Sequence, residues 1–535
     1  MLRNKIIPAK RLHLVLTVSL TTCGMMHKSL AALTSSFRSK HVFIKSCKWH
    51  TSKTYHGNRI LTTDVNRHFT KFQGPDSGTE TIIDAEELTQ AIRTDQEIKH
   101  FFDFTNRFLV ASSVVNQILT GTSSNHVNQL QNDDNTFMLR RIAPKYGSDL
   151  MEFKEQTKDV LQRKELGANY FERVFAPMFG NTTINLNEIK DPSKQFIANK
   201  IPTQQKKLKM NFKVAVAYFG PSFCGWQRQK DAVKPSVEQT IVDILTPIFA
   251  SESDSIRRRR GEIPPPIDVR TSGRTDSGVH ALSQICRVKS THSSIFYTGE
   301  WRDEFGETSD VSCIMAARIQ DTINSNQKLS QKIRCLWVEP VDSTFHPSWL
   351  ATCRGYAYLI DFNPSTDALV KPRHVVLLNV MLQQLEGIEI DYLATSYGRV
   401  VTETTLSTMY WARASLLQLS QTCMTSGDQI PRLALCIELI GNRFLRRMVR
   451  ILVSTALRAV IMADHNYYYS NGNPKWDSSN VDKCLLEAET YYSNEFLEFH
   501  KNDLLNLILT LKRDQTAPPA PPGGLMFVGA EFGEM

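Results

Sequence analysis

Thr271-Ser-Gly-Arg-Thr-Asp-Ser-Gly-Val-His280 runs directly into an apolar stretch from Leu282 to Val288, and these residues govern how the chain is read. Glycines 273 and 278 bracket an Arg-Thr-Asp-Ser core, a composition that folds as a tight loop and turns one carboxylate, Asp276, outward. The spacing is not that of a dinucleotide-binding fingerprint, and the Lys-Ser/Thr pair of a phosphate loop is absent. Asp, Ser and Gly are common turn formers, so alone this is a turn. The segments around it decide what it is.

Upstream, Phe212, Val214, Val216 and Tyr218 alternate with Lys213, Ala215 and Ala217, the period of a half-buried strand, and Gly220 and Pro221 end it. A helix follows from Ser236, with Val237, Ile241, Ile244 and Leu245 at helical spacing. Downstream, Phe345-His-Pro-Ser-Trp-Leu-Ala-Thr-Cys-Arg354-Gly-Tyr356-Ala-Tyr358 leads into a strand that sets Tyr356 and Tyr358 on one face. The stretch from Cys436 to Arg450 begins as a strand and then changes period. Arg443, Arg446, Arg447 and Arg450 fall at i, i+3, i+4 and i+7, one face of a helix. A charge run on a helix is usually a solvated face. Four arginines without an interleaved carboxylate repel one another, however, and such a stripe calls for anions.

The composition bounds the remainder. With 535 residues, 41% hydrophobic and 22% charged, the chain is an ordinary globular protein. Its longest apolar stretch, from Leu12, is broken by Thr17, Ser19, Thr21 and Thr22, short of the roughly 18 to 20 residues of a spanning helix, so no membrane role is expected. Ten cysteines are scattered, Cys423 and Cys436 being the nearest pair, which gives neither a metal knuckle nor a disulfide scaffold. The net charge is +9, yet residues 1–63 hold eleven Lys or Arg and no acid. The remainder carries 52 basic against 54 acidic residues, a net of −2, so any nucleic-acid contact must rest on local clusters. The acid-free segment 1–63 reads as a targeting leader: Arg3 to Arg11 and Leu12 to Leu20 are signal-like, and the stretch with Ser35, Ser36, Phe37 and Arg38 is transit-peptide-like. Import into an organelle is expected, plastid and mitochondrion being open and cytoplasm or nucleus not excluded. Residues 64–205 read as an accessory or partly disordered segment. Asp84 to Leu119 shows mixed helical spacing, Glu152 to Leu166 a polar helix, and Ile201 to Lys209 a Lys- and Gln-rich linker.

Taken in order, the motifs resemble the TruA-type tRNA pseudouridine synthase family. The resemblance is carried by Gly225-Trp-Gln-Arg-Gln229, Gly273-Arg-Thr-Asp-Ser-Gly-Val-His280, Phe345-His346, Arg354-Gly-Tyr356-Ala-Tyr358, Phe444 through Met448-Val-Arg450, and Pro522-Gly-Gly-Leu525, and it spans Asn211 to about Phe532. One departure is Ser348, where the family commonly has an RNA-contacting arginine. The resemblance implies an α+β catalytic domain over 206–535, built of two similar halves, about 206–340 and 341–535. Each half is a mixed antiparallel sheet with helices on one side, and the two form a central RNA-binding cleft. Strand readings near Asn211, Leu282, Ile333, Arg354, Leu433 and Leu525 agree with that architecture. Residues 251–266 and about 291–310 read as surface-loop insertions.

The implied activity is isomerisation of uridine to pseudouridine in tRNA, in the anticodon stem-loop. It has no redox or phosphoryl step, so neither a cofactor nor a metal is implied. Asp276 is then the catalytic carboxylate, as nucleophile at C1′ or as base at the C2′ proton, with Arg450 as its partner. Arg274 fills the stack vacated by the flipped uridine, and Tyr356 stacks on the uracil. Arg443, Arg446, Arg447, His346 and Arg354 are the implied RNA contacts, Trp226 reads as core packing, and His280 positions the loop or touches RNA. A homodimer, in which one tRNA touches both subunits, is also implied. Two other classes remain to be weighed: a non-catalytic RNA-binding or tRNA-chaperone protein on the same fold, and a glycoside hydrolase, for which these motifs lack the second carboxylate.

Overall fold

In the computed structural model the described residues are 70–73, 80–83, 85–103, 107–120, 138–144, 167, 170–179, 204–208, 210–249, 260–261, 267–290, 294–298, 301–302, 308–309, 311–362, 369–398, 404–420, 432–471 and 481–533. They fall within one compact unit, His68–Met535. The basic leader and the polar helix expected over Glu152 to Leu166 lie outside the described residues.

A ten-stranded sheet is the frame. Its strands in chain order are β1 (Met138–Ile142), β2 (Asn211–Tyr218), β3 (Ile267–Thr271), β4 (His280–Ser290), β5 (Ile333–Pro340), β6 (Ala351–Phe362), β7 (Glu389–Asp391), β8 (Leu406–Ser420), β9 (Arg432–Gly441) and β10 (Leu525–Phe532). Across the sheet the order is β5-β2-β4-β10-β6-β9-β8-β7, with β3 also on β4 and β1 on β8. The helices are α1 (Ala85–Asp103), α2 (Leu109–Thr120), α3 (Val237–Phe249), α4 (Val311–Asn324), α5 (His374–Gln383), α6 (Met448–Asn471), α7 (Val481–Tyr491), α8 (Asn494–His500) and α9 (Asp503–Leu509).

The two expected halves are repeats of one βαββαβ unit. The first is β2-α3-β3-β4-α4-β5 and the second β6-α5-β8-β9-α6-β10, and in both the fourth strand pairs the first, the first the third, and the third the second. The halves join through β4 and β10, which run parallel with Met526 opposite His280 and Phe527 opposite Ala281. On that same edge of β4, residues from Cys286 onward pair β3 instead. The sheet therefore forks at the start of β4, and the loop connecting β3 to β4, which carries Asp276, sits in the fork.

Strand alternation explains the core. Phe212, Val214, Val216 and Tyr218 of β2, Tyr356, Tyr358 and Ile360 of β6, and Leu435, Ile437 and Leu439 of β9 face one cluster, into which α3 to α6 pack. Ser236 caps α3 by accepting from the Gln239 N–H at 3.1 Å. Val237, Ile241 and Leu245 are the buried stripe of that helix, and Pro247 lies in its last turn. The opposite face was expected to be half exposed on β2, but Ala215 and Ala217 are fully buried. Val110, Ala111, Val114 and Val115 of α2, with Val174, Phe175 and Met178, form a second core with Ala217, Ala357, Cys436 and Met526. Residues within 64–205 thus supply the layer that closes this face.

Three charged clasps tie residues of 64–205 to the two repeats. Asp361 of β6 accepts from the Val110 N–H at the start of α2. Asp95 of α1 pairs with Arg458 of α6 at 3.0 Å. Arg141 of β1 donates Nε and Nη2 to Glu438 of β9 at 2.8 and 3.0 Å, and Ser415 and Trp411 complete the shell of that fully buried carboxylate. Two stretches taken as linker or loop also order: 204–208 pairs with 294–298 as an antiparallel ladder, and Trp301–Arg302 pairs with Thr308–Ser309. Among the described residues no helix is long and apolar enough to cross a membrane. Because Arg141→Ala strands a buried carboxylate, it is expected to lower the unfolding free energy by about 3 kcal/mol. Adding Glu438→Gln, which removes the charge but keeps an acceptor, should recover part of that loss; urea unfolding of both variants checks this.

Candidate active site

The loop between β3 and β4 is fixed by contacts its sequence alone does not announce. Gly225 has a φ of 110°, and a Cβ there would meet the Thr275 carbonyl oxygen at 2.8 Å and the Ser277 nitrogen at 3.1 Å, so only glycine lets the loop close down on it. The next residue, Trp226, is 2% exposed, packs on Tyr218, and donates its backbone N–H to the Thr275 carbonyl at 3.1 Å. Trp226 is core packing, as read. The Tyr218 hydroxyl bonds the Thr275 hydroxyl at 2.7 Å. Gln284 of β4 donates to the Gly273 carbonyl at 2.6 Å, and its own carbonyl faces the Ser272 hydroxyl at 2.8 Å.

His280 closes the loop and is a structural clamp. Its Nδ1 accepts from the Gly220 N–H at 3.3 Å. Burial pulls its pKa down from 6.5 to about 4, opposed by the bond the ring makes to the Gly523 carbonyl. The ring is therefore neutral at neutral pH and ties the ends of β2 and the Pro522–Gly524 turn to the first residue of β4.

Asp276 stands between two guanidinia. Arg450 of α6 reaches it with Nη1 at 3.1 Å from Oδ2, while its Nε donates to the Ala520 carbonyl at 2.6 Å. Burial lowers the Arg450 pKa from its ordinary value, and the Asp276 carboxylate opposes that shift. Arg447 also approaches, its Nε 3.7 Å from Oδ2. This corrects the reading of Arg443, Arg446, Arg447 and Arg450 as one helical face. The helix begins only at Met448, because Arg447 takes a left-handed φ of 59° and breaks the turn before it. Such a conformation in a non-glycine residue costs about 1 kcal/mol or more and persists where its surroundings impose it. Here the Arg447 guanidinium lies 4.0 Å from the centre of the Tyr397 ring, and the Tyr397 N–H donates to the Arg446 carbonyl at 3.1 Å. Arg447 accordingly turns to the carboxylate, whereas Arg446 stays exposed.

Tyr356 forms the floor. Its ring meets Phe444 and Phe527 edge to face at 4.8 and 5.1 Å, and it is 8% exposed. Burial pushes its pKa up to about 12, so at neutral pH it is a phenol. Arg274 is exposed at the lip, two residues before Asp276. Arg354, expected on RNA, is buried instead and braces three segments. Its Nε donates to the Ser272 carbonyl at 2.8 Å, Nη1 to that of Asn442 at 2.5 Å and Nη2 to that of Ser348 at 2.6 Å. A guanidinium so engaged has little left for a phosphate. Arg443 is half-buried, with its carbonyl taken by the Ser407 hydroxyl at 2.8 Å. His346 is half-buried beneath Trp349.

No protein-family model matches the chain. Among curated proteins it is 27% identical over 328 residues to tRNA pseudouridine synthase A of Francisella tularensis subsp. novicida, covering 61% of this chain and 95% of that one. It is 27% identical over 254 residues to tRNA pseudouridine synthase A of Bdellovibrio bacteriovorus, covering 45% and 78%. The chain is thus similar to tRNA pseudouridine synthases A, in line with the resemblance read from its motifs.

Within this site the structure brings together Asp276, Arg450 and Tyr356, which the motifs had singled out, and adds Tyr397, which lies in no periodic segment and braces Arg446 and Arg447. The motifs also missed two loop anchors, Thr275 within the motif and Gln284 just beyond it. The clamp at His280 has a measurable consequence. The unfolded chain takes up a proton near pH 6.5 while the folded ring resists until about pH 4, so stability is full above that window and falls as pH drops through it. Urea unfolding across this range should show a loss of up to about 3 kcal/mol from this group, and His280→Asn should flatten the profile.

Proposed function

We propose that the chain isomerises uridine to pseudouridine in tRNA, acting in the anticodon stem-loop. The observation that carries this reading is Asp276 held at 3.1 Å by Arg450, near the buried Tyr356 and two residues from an exposed Arg274, in a loop fixed by contacts from several segments. Isomerisation breaks the N1–C1′ bond, turns the base, forms C5–C1′, and moves one proton from C5 to N1, with no net change of oxidation state. The carboxylate, paired with Arg450 and approached by Arg447, serves at C1′ as nucleophile or at the C2′ proton as base. Tyr356, a buried phenol, stacks on the uracil and keeps a hydroxyl proton to donate.

A uridine stacked in a stem must be extruded at a cost of a few kcal/mol, and Arg274 is the side chain free to enter its place. Arg446 and Arg443, beside the site, suit phosphates. Asp276, Arg450 and Tyr356 together are more than a chaperone cleft requires, which weighs against a non-catalytic RNA-binding role. A homodimer presenting a composite basic cleft is part of this proposal, because the body beyond residue 63 has a net charge of −2 and little global field to draw tRNA. So is import into a plastid or mitochondrion, supported by the acid-free leader.

Asp276→Ala should abolish pseudouridine formation in single-turnover assays while leaving the dissociation constant for tRNA within a few-fold, since the carboxylate serves chemistry and not binding. Activity in the purified variant rejects the assignment. Tyr397→Ala should lower the single-turnover rate at saturating tRNA by about tenfold through a misdirected Arg447. Tyr397→Phe, which keeps the ring under the guanidinium, should retain nearly all of it. Equal losses in both would mean that the stack does not position Arg447.

A further inference from the structure

Trp349 is the largest exposed apolar side chain near the site, with 82% of its surface in water. It is nonetheless fixed in place. One face of the indole stacks on the His346 ring, centroids 4.0 Å apart and planes 17° from parallel, and the Trp349 N–H donates to His346 Nδ1 at 3.3 Å. The turn beneath is closed by the Leu350 N–H on the His346 carbonyl at 3.0 Å, with Phe345 and Pro347 buried under it. Burial and the neighbouring Arg287 and Arg270 lower the His346 pKa, which favours a neutral ring beneath the indole. A rigid aromatic plane with one face covered presents its other face, already oriented, to any flat group that can stack on it.

Its place in the fold says what that is. The carbonyl of Ser348, the preceding residue, is held by the same Arg354 guanidinium that holds Ser272, at the root of the Asp276 loop, and Asn442, at the root of the Arg443–Arg447 turn. The indole therefore stands on the segment tied directly to both walls of the site. We propose that Trp349, backed by His346, is a stacking step for an unpaired nucleobase of the RNA, a subsite outside the pocket that receives the target uridine. This rests on the reading of the chain as a tRNA-modifying enzyme. Extruding one nucleotide costs stacking energy in its neighbours, and a preformed aromatic surface at the rim returns part of it. Such a contact is sequence-tolerant and neutral, so it adds affinity without releasing counterions.

The test compares wild-type protein, Trp349→Ala and Trp349→Phe on a uridine-containing tRNA transcript, with affinity measured across salt, single-turnover pseudouridine formation, and tryptophan emission during titration. Trp349→Ala should weaken binding by about tenfold at every salt concentration, leaving the slope of log affinity against log salt unchanged. The rate at saturating RNA should stay near wild type, Trp349→Phe should keep most of the affinity, and the RNA-induced quenching should fall in both variants. Unchanged affinity in Trp349→Ala alongside normal pseudouridine formation overturns the subsite but not the reading beneath it. A changed salt slope, or a changed oligomeric mass with RNA affinity intact, also overturns it, by making the contact electrostatic or protein-directed. A wild-type protein that forms no pseudouridine removes the underlying reading itself.

Discussion

One ion pair across two repeats sets the demands that the rest of the fold meets. Asp276 belongs to the first βαββαβ unit and Arg450 to the second, and their 3.1 Å contact exists only while the two half-sheets keep their register. That register is set by a short parallel ladder between β4 and β10, where His280 and Ala281 face Met526 and Phe527. A parallel pairing at the seam, between otherwise antiparallel strands, leaves a fork, and the fork is where an irregular loop can carry a carboxylate without disrupting a ladder. Glycine at 225, the neutral His280 and the buried Arg354 all restrain the geometry of that loop or the segments beside it. Their combined effect is preorganisation: the carboxylate and its guanidinia are placed before substrate arrives.

Much of this was legible in the residues. Period-two alternation marked β2 and β6, and a family resemblance resting on short motifs in order identified Asp276, Arg450 and Tyr356. The failures have physical causes. Four arginines at helical spacing suggested one face, but spacing carries no information about a single residue in the left-handed region, and Arg447 alone redirects the run. Arg354 was expected as an RNA contact from the family resemblance. Three backbone carbonyls, two of them from segments distant in sequence, instead claim its guanidinium, and no local pattern records such convergence. Tyr397 is invisible for the same reason.

The segment from 85 to 179 was the least readable part and is structurally the most consequential addition. Its helix α2 is apolar enough to fill a sheet face, yet a sequence of valines and alanines does not say which face. What specifies the docking is charge. Asp361, Arg458 and Glu438 lie in the two repeats and each also bonds a partner in the preceding segment, which fixes where that segment docks. Burial on both faces also explains why β6, β9 and β10 are apolar at nearly every position, where a sheet with one wet face would alternate more strongly.

The central claim, that this arrangement moves a glycosidic bond from nitrogen to carbon within one nucleotide, is tested most directly by nucleoside mass balance. A uridine-only tRNA transcript is incubated with the full-length protein, digested, and its nucleosides and free bases are quantified. The account predicts that each uridine lost appears as one pseudouridine of identical mass, with no free uracil. Free uracil accumulating in place of pseudouridine, or a transcript left unchanged by protein that binds it, would contradict it.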